Sequence, residues 1–436
     1  MAAFIGFLLL AVTVPGMSLL SPQVGIVARV APSAKTSLDD LYVKWMVAAA
    51  MFFVTLEVFY LVCAGLPPLA KPWIDGTHFV LGRDFLNTWM GGRSVFAGGP
   101  EPWFDLRAYN IAIQQILGAP YQLHYWSYPP HVLLFIWPFG LMPYLPAYIA
   151  WCLVGIALYV FACSGAIPRE RLLFLAVAPG IGICIFFGQN GFYTAALLIG
   201  GWLSLERRPV LAGILFGILT VKPQIGFLLP IVLLFERRWV TIASAIVTVA
   251  ALVTATALLF GWSIWIEFWQ KVMPQQQWLT ANGGGLLYVM VSSVYYGIRL
   301  MHLPDSLAWV LQWITSAIAF AAFLWTFWRR RDRTLSFALL VTATFLVTPY
   351  ILNYDMVVFG FVVALLLERD DNTAADRWLL LAVWTLPVVM MLAGLFWIPY
   401  APVVLMAFAG RLIWRMAHSD RRDTQPLPVE AAPAAA

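Results

Sequence analysis

Long apolar runs alternate with short polar breaks along this chain, and the run lengths predict its elements. Apolar stretches of roughly 15 to 25 residues suit helices that span a bilayer. A clear one covers 45–66. Others are read at 171–187, 191–205, 210–220 with 223–235, 239–260, 306–328, 335–350, 354–367, 377–396 and 400–417. Several are short, as tight hairpins or half-helices would be. "YPPHVLLFIWPFGLMPYLPAYIAW", from Tyr128, re-enters the membrane. Pro129 and Pro130 suit a first helical turn, where a missing N–H is an orphan anyway. Pro138 and Pro143 kink or split the remainder of that segment.

The longest polar interval, 67–128, is expected to be a large first exterior loop. Two stretches in it have the pattern of helices lying along the interface. Residues 84–96 carry Phe85, Trp89 and Phe96; residues 105–117 carry Leu106, Tyr109, Ile113 and Ile116 at i, i+3, i+7 and i+10. Gly98-Gly99-Pro100 separates them. A second exterior loop is read at 261–285, with Trp262, Trp265, Trp269 and Trp278; tryptophan at this density marks a membrane interface or a sugar-stacking surface. "NGGGLL" after it is a flexible turn. Residues 1–44 have no assigned role: the apolar run at 4–20 has no basic residue before it, and an uncleaved segment, a weak signal and sequence upstream of the true start all remain open. The stretch 418–436 is charged, then rich in Pro and Ala, and is expected to be a disordered cytoplasmic tail.

Composition turns this pattern into a class. Of 436 residues 62% are hydrophobic and 11% charged, with a mean hydropathy of +0.83. Charge that sparse does not cover a globular surface in water. The expected fold is an all-α polytopic membrane protein with about 10–13 transmembrane or half-membrane helices, the membrane domain running over 45–417. The net charge is +5, and where it sits matters more than its size. Glu206-Arg207-Arg208, Glu236-Arg237-Arg238, Arg329 to Arg333 and Arg421-Arg422 each come after an apolar run, which is the positive-inside pattern of cytoplasmic loops. Nucleic-acid binding would gather basic residues on one solvated face instead and is set aside. Counting back from a cytoplasmic C-terminus puts Gly188 to Asn190, Lys222 to Gln224 and Tyr350 to Asp355 outside. Counting forward from Lys44 puts Asp84 outside, but agrees with the backward count only if one element within 129–165 fails to cross. Cys63, Cys152, Cys163 and Cys184 lie inside apolar runs without CxxC spacing and read as small buried hydrophobes.

An ionisable group within the bilayer costs roughly 2.5 kcal/mol or more, so such residues are informative. Lys222 and Gln224 lie in "VKPQIGFLLP", Gln189 and Asn190 in "GQNGFYTAALL", and Tyr354 and Asp355 in "TPYILNYDMVV". Arg83 and Asp84 open the first interfacial helix, and His124, Tyr128 and His131 border the re-entry point. Each has a plainer reading. Gln189-Asn190-Gly191 is also a turn, Lys222 a snorkelling lysine, and Asp84 or Asp355 a helix cap. The histidines and Tyr128 are also ordinary interface residues.

One exterior carboxylate with a buried lysine and carboxamides fits glycosyl transfer from a lipid-phosphate sugar. An Asp takes the proton of the attacking hydroxyl, cationic groups stabilise the departing phosphate, and carboxamides and Trp hold sugar hydroxyls and faces. A sugar nucleotide is not normally present outside, so the donor is expected to be membrane-borne. No DxD or His cluster demands a metal, and no cofactor is expected.

The stretches "GRDFLNTWMGGRSVFAGG", "YPPHVLLFIWPFGLMP", "GQNGFYTAALL", "VKPQIGFLLP" and "TPYILNYDMVV", in this order, resemble glycosyltransferase family 87 over about residues 45–415. That family includes polyprenol-phosphate-mannose-dependent α-1,2-mannosyltransferases. The resemblance implies a GT-C fold, an inverting mechanism, a polyprenyl-phosphate sugar donor, a lipid or glycan acceptor, and a catalytic Asp early in the first loop, a position Asp84 matches. Asp75 precedes that motif and Asp105 comes after it. From the polar residues above, Lys222, Gln189, Asn190, Gln224, Arg83, His124, Tyr128, Tyr354 and Asp355 are the candidates to bind donor phosphate or sugar. Members often carry His-Tyr in the late motif where this chain has Asn353-Tyr354-Asp355, so that histidine is either missing here or replaced by His124 or His131. The expected location is a bacterial inner membrane with the site facing outward. Two other classes stay open: a secondary transporter using Lys222 and Asp355 as coupling residues, and an O-antigen ligase or polymerase-like enzyme, which would carry its large loop late rather than early.

Overall fold

The computed structural model describes Met46, residues 79–97, Gly99, residues 104–329 and residues 332–423. The N-terminal segment 1–44, the first span at 45–66 apart from Met46, Cys63, Asp75, His78, Glu101 and the tail beyond Asp423 lie outside the described residues. The chain is an all-α polytopic membrane protein. Among the described residues no strand forms, and Val291 and Leu352 make an isolated antiparallel bridge.

The two helices expected in the first loop are present as α1 (Phe85–Ser94) and α2 (Leu106–Leu117). Asp105 caps α2, its carboxylate accepting from the Ala108 N–H at 2.8 Å; Gly118 ends it in the left-handed region. The proline-rich segment divides at its prolines. Pro129 and Pro130 open a 3-10 turn, Pro130–Val132. It leads into α3 (Leu133–Gly140), which carries Pro138 internally. Pro143 then precedes α4 (Tyr144–Cys163). The run at 171–187 is broken into α5 (Leu172–Ala176) and α6 (Pro179–Phe187), with Pro179 starting the second piece. Next come α7 (Gly191–Ser204), α8 (Pro209–Ile218), α9 (Leu229–Phe235) and α10 (Trp239–Phe260).

The segment expected as a second loop is helical and extends further than 285. It holds α11 (Ser263–Glu267), α12 (Met273–Asn282), α13 (Leu287–Met290) and α14 (Val294–Leu300). The last two leave no trace in the residue pattern, because neither is long enough for a periodicity to show. The chain finishes with α15 (Asp305–Arg329), α16 (Arg333–Val347), α17 (Val357–Leu367), α18 (Ala374–Gly394) and α19 (Tyr400–Asp423). The tail expected from 418 therefore begins as a continuation of α19.

Among the described residues α4, α10, α15 and α18 are long and apolar enough to cross a bilayer. The shorter helices have polar residues at both ends. Asn190 precedes α7 and Glu206 comes after it; Arg208 precedes α8 and Lys222 comes after its 3-10 extension; Lys222 precedes the segment that ends at Glu236 to Arg238. One set of ends forms an ionic cluster. The two Glu-Arg-Arg turns meet there: Arg238 grips both carboxylate oxygens of Glu206, and Arg333 reaches the same carboxylate. Arg369 pairs with Asp332, and Arg171 with Glu368 at 2.5 Å. The opposite ends gather Asn190 and Lys222 together with the turn that carries Asp84.

That partition identifies the element that fails to cross. Tyr144 and Tyr148, at the start of α4, donate hydrogen bonds to the Leu81 carbonyl (2.7 Å) and the Ile185 carbonyl (2.6 Å), so α4 starts beside the Asp84 turn. It ends shortly before Arg171, in the ionic cluster. Hence α4 crosses and α3, with 8 residues, does not. With α3 taken out, the two topology counts agree.

Instead α3 lies against α1. Gly140 and Gly92 meet backbone to backbone: a Cβ on Gly92 would fall 2.6 Å from the Ile136 carbonyl oxygen and 2.8 Å from the Gly140 nitrogen. Backbone cannot swing aside as a side-chain tip can, so overpacking here costs roughly 1–3 kcal/mol. Gly92→Ala is expected to lower the thermal midpoint of the detergent-solubilised protein by several degrees. Gly410→Ala, whose Cβ would meet nothing within 4 Å, should leave it unchanged or raise it.

Candidate functional site

The site begins at a strained turn. Gly82 (φ +72°) and Arg83 (φ +37°) both lie in the left-handed region just before α1. For a non-glycine residue that costs roughly 1–2 kcal/mol, and such strain persists only where surroundings over-determine it. They do here: Arg83 N–H donates to the Val80 carbonyl (2.8 Å), Phe85 N–H to Gly82 (2.7 Å) and Asp84 N–H to Phe187 at the end of α6 (3.0 Å). The Gly82 Cα faces the Tyr148 ring so closely that a Cβ would sit 2.7 Å from it. Asp84 occupies the N-cap position of α1, yet its carboxylate makes no capping bond. The cap reading of Asp84 therefore fails, and the carboxylate is turned elsewhere.

It is turned to Gln189, whose Nε2 donates to Asp84 Oδ2 at 2.6 Å. The Gln189 amide is fixed at both ends: its Oε1 accepts from the Tyr128 hydroxyl at 3.1 Å. Its backbone is held too, the carbonyl accepting from Trp151 Nε1 (3.2 Å) and its N–H donating to the Cys184 carbonyl (3.0 Å). Gly188, at φ +62°, makes the bend that allows this, packed against the Gly82 carbonyl and Phe85. Gln189-Asn190 is thus a turn and a hub together, and Tyr128 is a buried partner of the site rather than an interface anchor.

Next to it, Lys222 is 7% and Asp355 1% exposed. Lys222 does not snorkel. Its Nζ donates to Asp355 Oδ1 at 2.5 Å and to Asn190 Oδ1 at 3.2 Å, and lies 4.7 Å from the Tyr354 ring centroid. Asp355 also accepts, over 3.4 Å, from the Leu352 N–H, closing the 3-10 turn Asn353–Met356 back on its start; the N-cap position of α17 is Met356, so the charge-pairing reading holds and the helix-cap reading does not. Gly191 is pressed so tightly on the Tyr354 carbonyl that no Cβ fits. In this way α6–α7, α8–α9 and α16–α17 converge through their broken ends.

The segment 121–128 covers Asp84 from the loop side. Asn110 of α2 binds the His124 backbone as another peptide would, accepting from its N–H (2.8 Å) and donating to its carbonyl (2.9 Å). Asn87 of α1 donates to the Tyr125 carbonyl at 3.2 Å and accepts from the Tyr109 hydroxyl. The Tyr121 hydroxyl oxygen accepts from the Val80 N–H at 3.2 Å. His124 is thereby set with Nε2 3.9 Å from Asp84 Oδ1. Burial lowers its pKa below the usual imidazole value, while the Asp84 charge pulls the other way. Burial likewise raises the Tyr121 phenol. The segment carrying α12 touches this cover through Gln276 Nε2, which donates to Ser127 Oγ at 2.8 Å.

Asp84, Gln189, Tyr128, Asn190, Lys222, Tyr354, Asp355 and His124 therefore form one connected group. Two expected members stand apart. Arg83 lies over aromatic rings, its guanidinium 4.5 Å from the Phe79 ring and 4.3 Å from that of Phe186. Gln224 is half-buried and makes no hydrogen bond to the group among the described residues. His131 is buried against Trp265, the rings stacked 5.8 Å apart, with Nε2 3.2 Å from Thr220. Trp151, Asn87 and Asn110 support the site without being singled out by the sequence. Asn110 had a readable sign, since it lies four residues after Leu106 and three before Ile113, a polar residue on the apolar stripe of α2.

The model of glycosyltransferase family 87 matches residues 126–349 of the chain. The match takes in Tyr128, Gln189, Asn190 and Lys222 and begins after Asp84. No curated protein and no solved structure matches.

Proposed function

The chain belongs to glycosyltransferase family 87, and from that membership we propose that it moves a hexose, mannose in the first instance, from a polyprenyl-phosphate sugar to a lipid or glycan acceptor at the outer face of a bacterial inner membrane. The observation that carries this reading is a carboxylate released from capping, held by Gln189, and one residue removed in contact from the Asn190–Lys222–Asp355 cluster.

In this reading Asp84 Oδ1 takes the proton from the acceptor hydroxyl as its oxygen attacks the anomeric carbon. The new C–O bond forms on the face opposite the bond to phosphate, which breaks and carries its electron pair away on the polyprenyl phosphate. One displacement inverts the anomeric centre. Two of the three ammonium protons of Lys222 are committed, to Asp355 and Asn190; the third serves a phosphate oxygen, where a fixed cation in a water-poor site stabilises developing charge most. A GT-C arrangement fits a base carried on the first loop and a donor site made from helix ends. The transport alternative used Lys222 and Asp355 as a separate coupling pair; their bond to the Asn190 turn ties them to the Asp84 group instead.

The test is direct. Purified protein in proteoliposomes, given polyprenyl-phosphate mannose labelled in the sugar and extracted membrane lipids, is expected to move label into a lipid product of opposite anomeric configuration to the donor. Transfer from a sugar nucleotide alone, or retention of configuration, would overturn the donor or the mechanism.

A further inference from the structure

We propose that Asp84 and His124 form a two-point clamp for adjacent hydroxyls of the acceptor, Asp84 Oδ1 taking the hydroxyl that reacts and His124 Nε2 the one beside it. The acceptor is then a sugar or other ring polyol with a free vicinal diol, not a simple lipid alcohol. This rests on the reading of Asp84 as the base.

His124 Nε2 is buried and has no hydrogen-bond partner among the described residues. A buried polar atom left unpaired carries its full desolvation penalty, so its position asks for a ligand. It cannot satisfy itself on Asp84, because 3.9 Å is beyond hydrogen-bonding reach. Neither side is loose enough to close the gap easily. Asn110 fixes the His124 backbone from both directions, and Gln189 ties Asp84 through Oδ2, leaving Oδ1 facing the histidine. Neighbouring hydroxyl oxygens held gauche on a six-membered ring lie about as far apart as the two oxygens of an O–H···O hydrogen bond, about 2.8 Å. Such a pair spans a 3.9 Å gap between two acceptors or an acceptor and a donor.

Chemistry favours the acceptor over the donor phosphate here. A phosphate lodged against Nε2 would bring its negative charge beside the Asp84 carboxylate, and like charges at that range repel. A neutral imidazole suits a hydroxyl in either sense, as donor or acceptor according to its tautomer. Tyr121 also faces the ring, at 6.1 Å between centroids, and adds no charge.

The experiment uses the full chain in proteoliposomes, polyprenyl-phosphate mannose as donor, and octyl hexosides with their monodeoxy analogues as acceptors. Wild type is expected to disfavour the analogue lacking the hydroxyl next to the reacting one by about tenfold or more. In His124→Ala the KM for the parent octyl hexoside should rise about tenfold, that discrimination should fall to about twofold, and the KM for donor should not move. His124→Gln, which keeps a hydrogen-bonding end, should retain part of the discrimination. Unchanged discrimination in His124→Ala overturns the clamp, as does a rise in donor KM instead. So does failure of every octyl hexoside in a preparation that still transfers to membrane lipid. If Asp84→Asn transfers normally, the assignment of the base fails; if it is inactive while His124→Ala discriminates like wild type, only the clamp fails.

Discussion

Replacing Asp84 with Asn will reduce hexose transfer by about 10²–10⁴-fold, the usual contribution of a placed general base, and leave the protein folded. The substitution is nearly isosteric, and the new carbonyl can still accept the Gln189 hydrogen bond now made to Oδ2. No cap is lost, because the carboxylate caps nothing. The Asp84 N–H bond to Phe187 is a backbone contact and survives. Stability therefore serves as the internal control: the thermal midpoint and gel-filtration profile should match wild type while initial rates of label transfer collapse. A variant that keeps more than a tenth of the wild-type rate would remove Asp84 from the chemistry, whatever the family.

The second large effect falls on stability first. Lys222→Met removes the partner of a carboxylate whose side chain has 0% exposure. Stranding a buried charge costs about 3–5 kcal/mol, a large part of any domain's net stability. Asp355→Leu alone strands the lysine in the same way. The double variant Lys222→Met with Asp355→Leu leaves neither charge, and buried ion pairs replaced by apolar residues of similar size are often neutral. Its thermal midpoint should return to near wild type. Transfer should not, because the ammonium proposed to meet the phosphate is gone. A double variant that regains both stability and transfer would reduce the pair to a strut.

The sequence made the long runs legible because their burial is set by the bilayer, an environment that reads composition and length alone. The proline positions were legible for the same local reason: Pro130, Pro143 and Pro179 start or divide helices where ring geometry dictates. The candidate site was legible as scattered polar residues at the ends of apolar runs, since each carries an insertion cost that needs a purpose. What sequence did not supply was partnership. Nothing local says that Gln189 reaches Asp84 across 105 positions, or that Tyr128 reaches Gln189 across 61. Nor could charge counting name α3 as the element that turns back, for that depends on glycine contacts between Gly92 and Gly140. The surroundings of Arg83 were not legible either: its backbone is left-handed and its guanidinium lies over phenylalanine rings that come from both sides of it in the chain.

The short helices have a consequence for the surrounding lipid. At about 1.5 Å per residue, α7 with its 14 residues is roughly 21 Å long, against about 33 Å for α10 with 22. Both leave the ionic end, so the turn at Gln189 lies roughly 10 Å below the level α10 reaches. The proposed reaction centre would then be sunk in a well, within the depth of a hydrocarbon layer about 30 Å thick. α7 has no exposed residue, so protein rather than lipid walls that step, and a polar headgroup bound for the proposed site must come down it from the membrane surface. Turnover is then expected to slow in a thicker host membrane, whose longer lipid chains raise the step each headgroup has to take down.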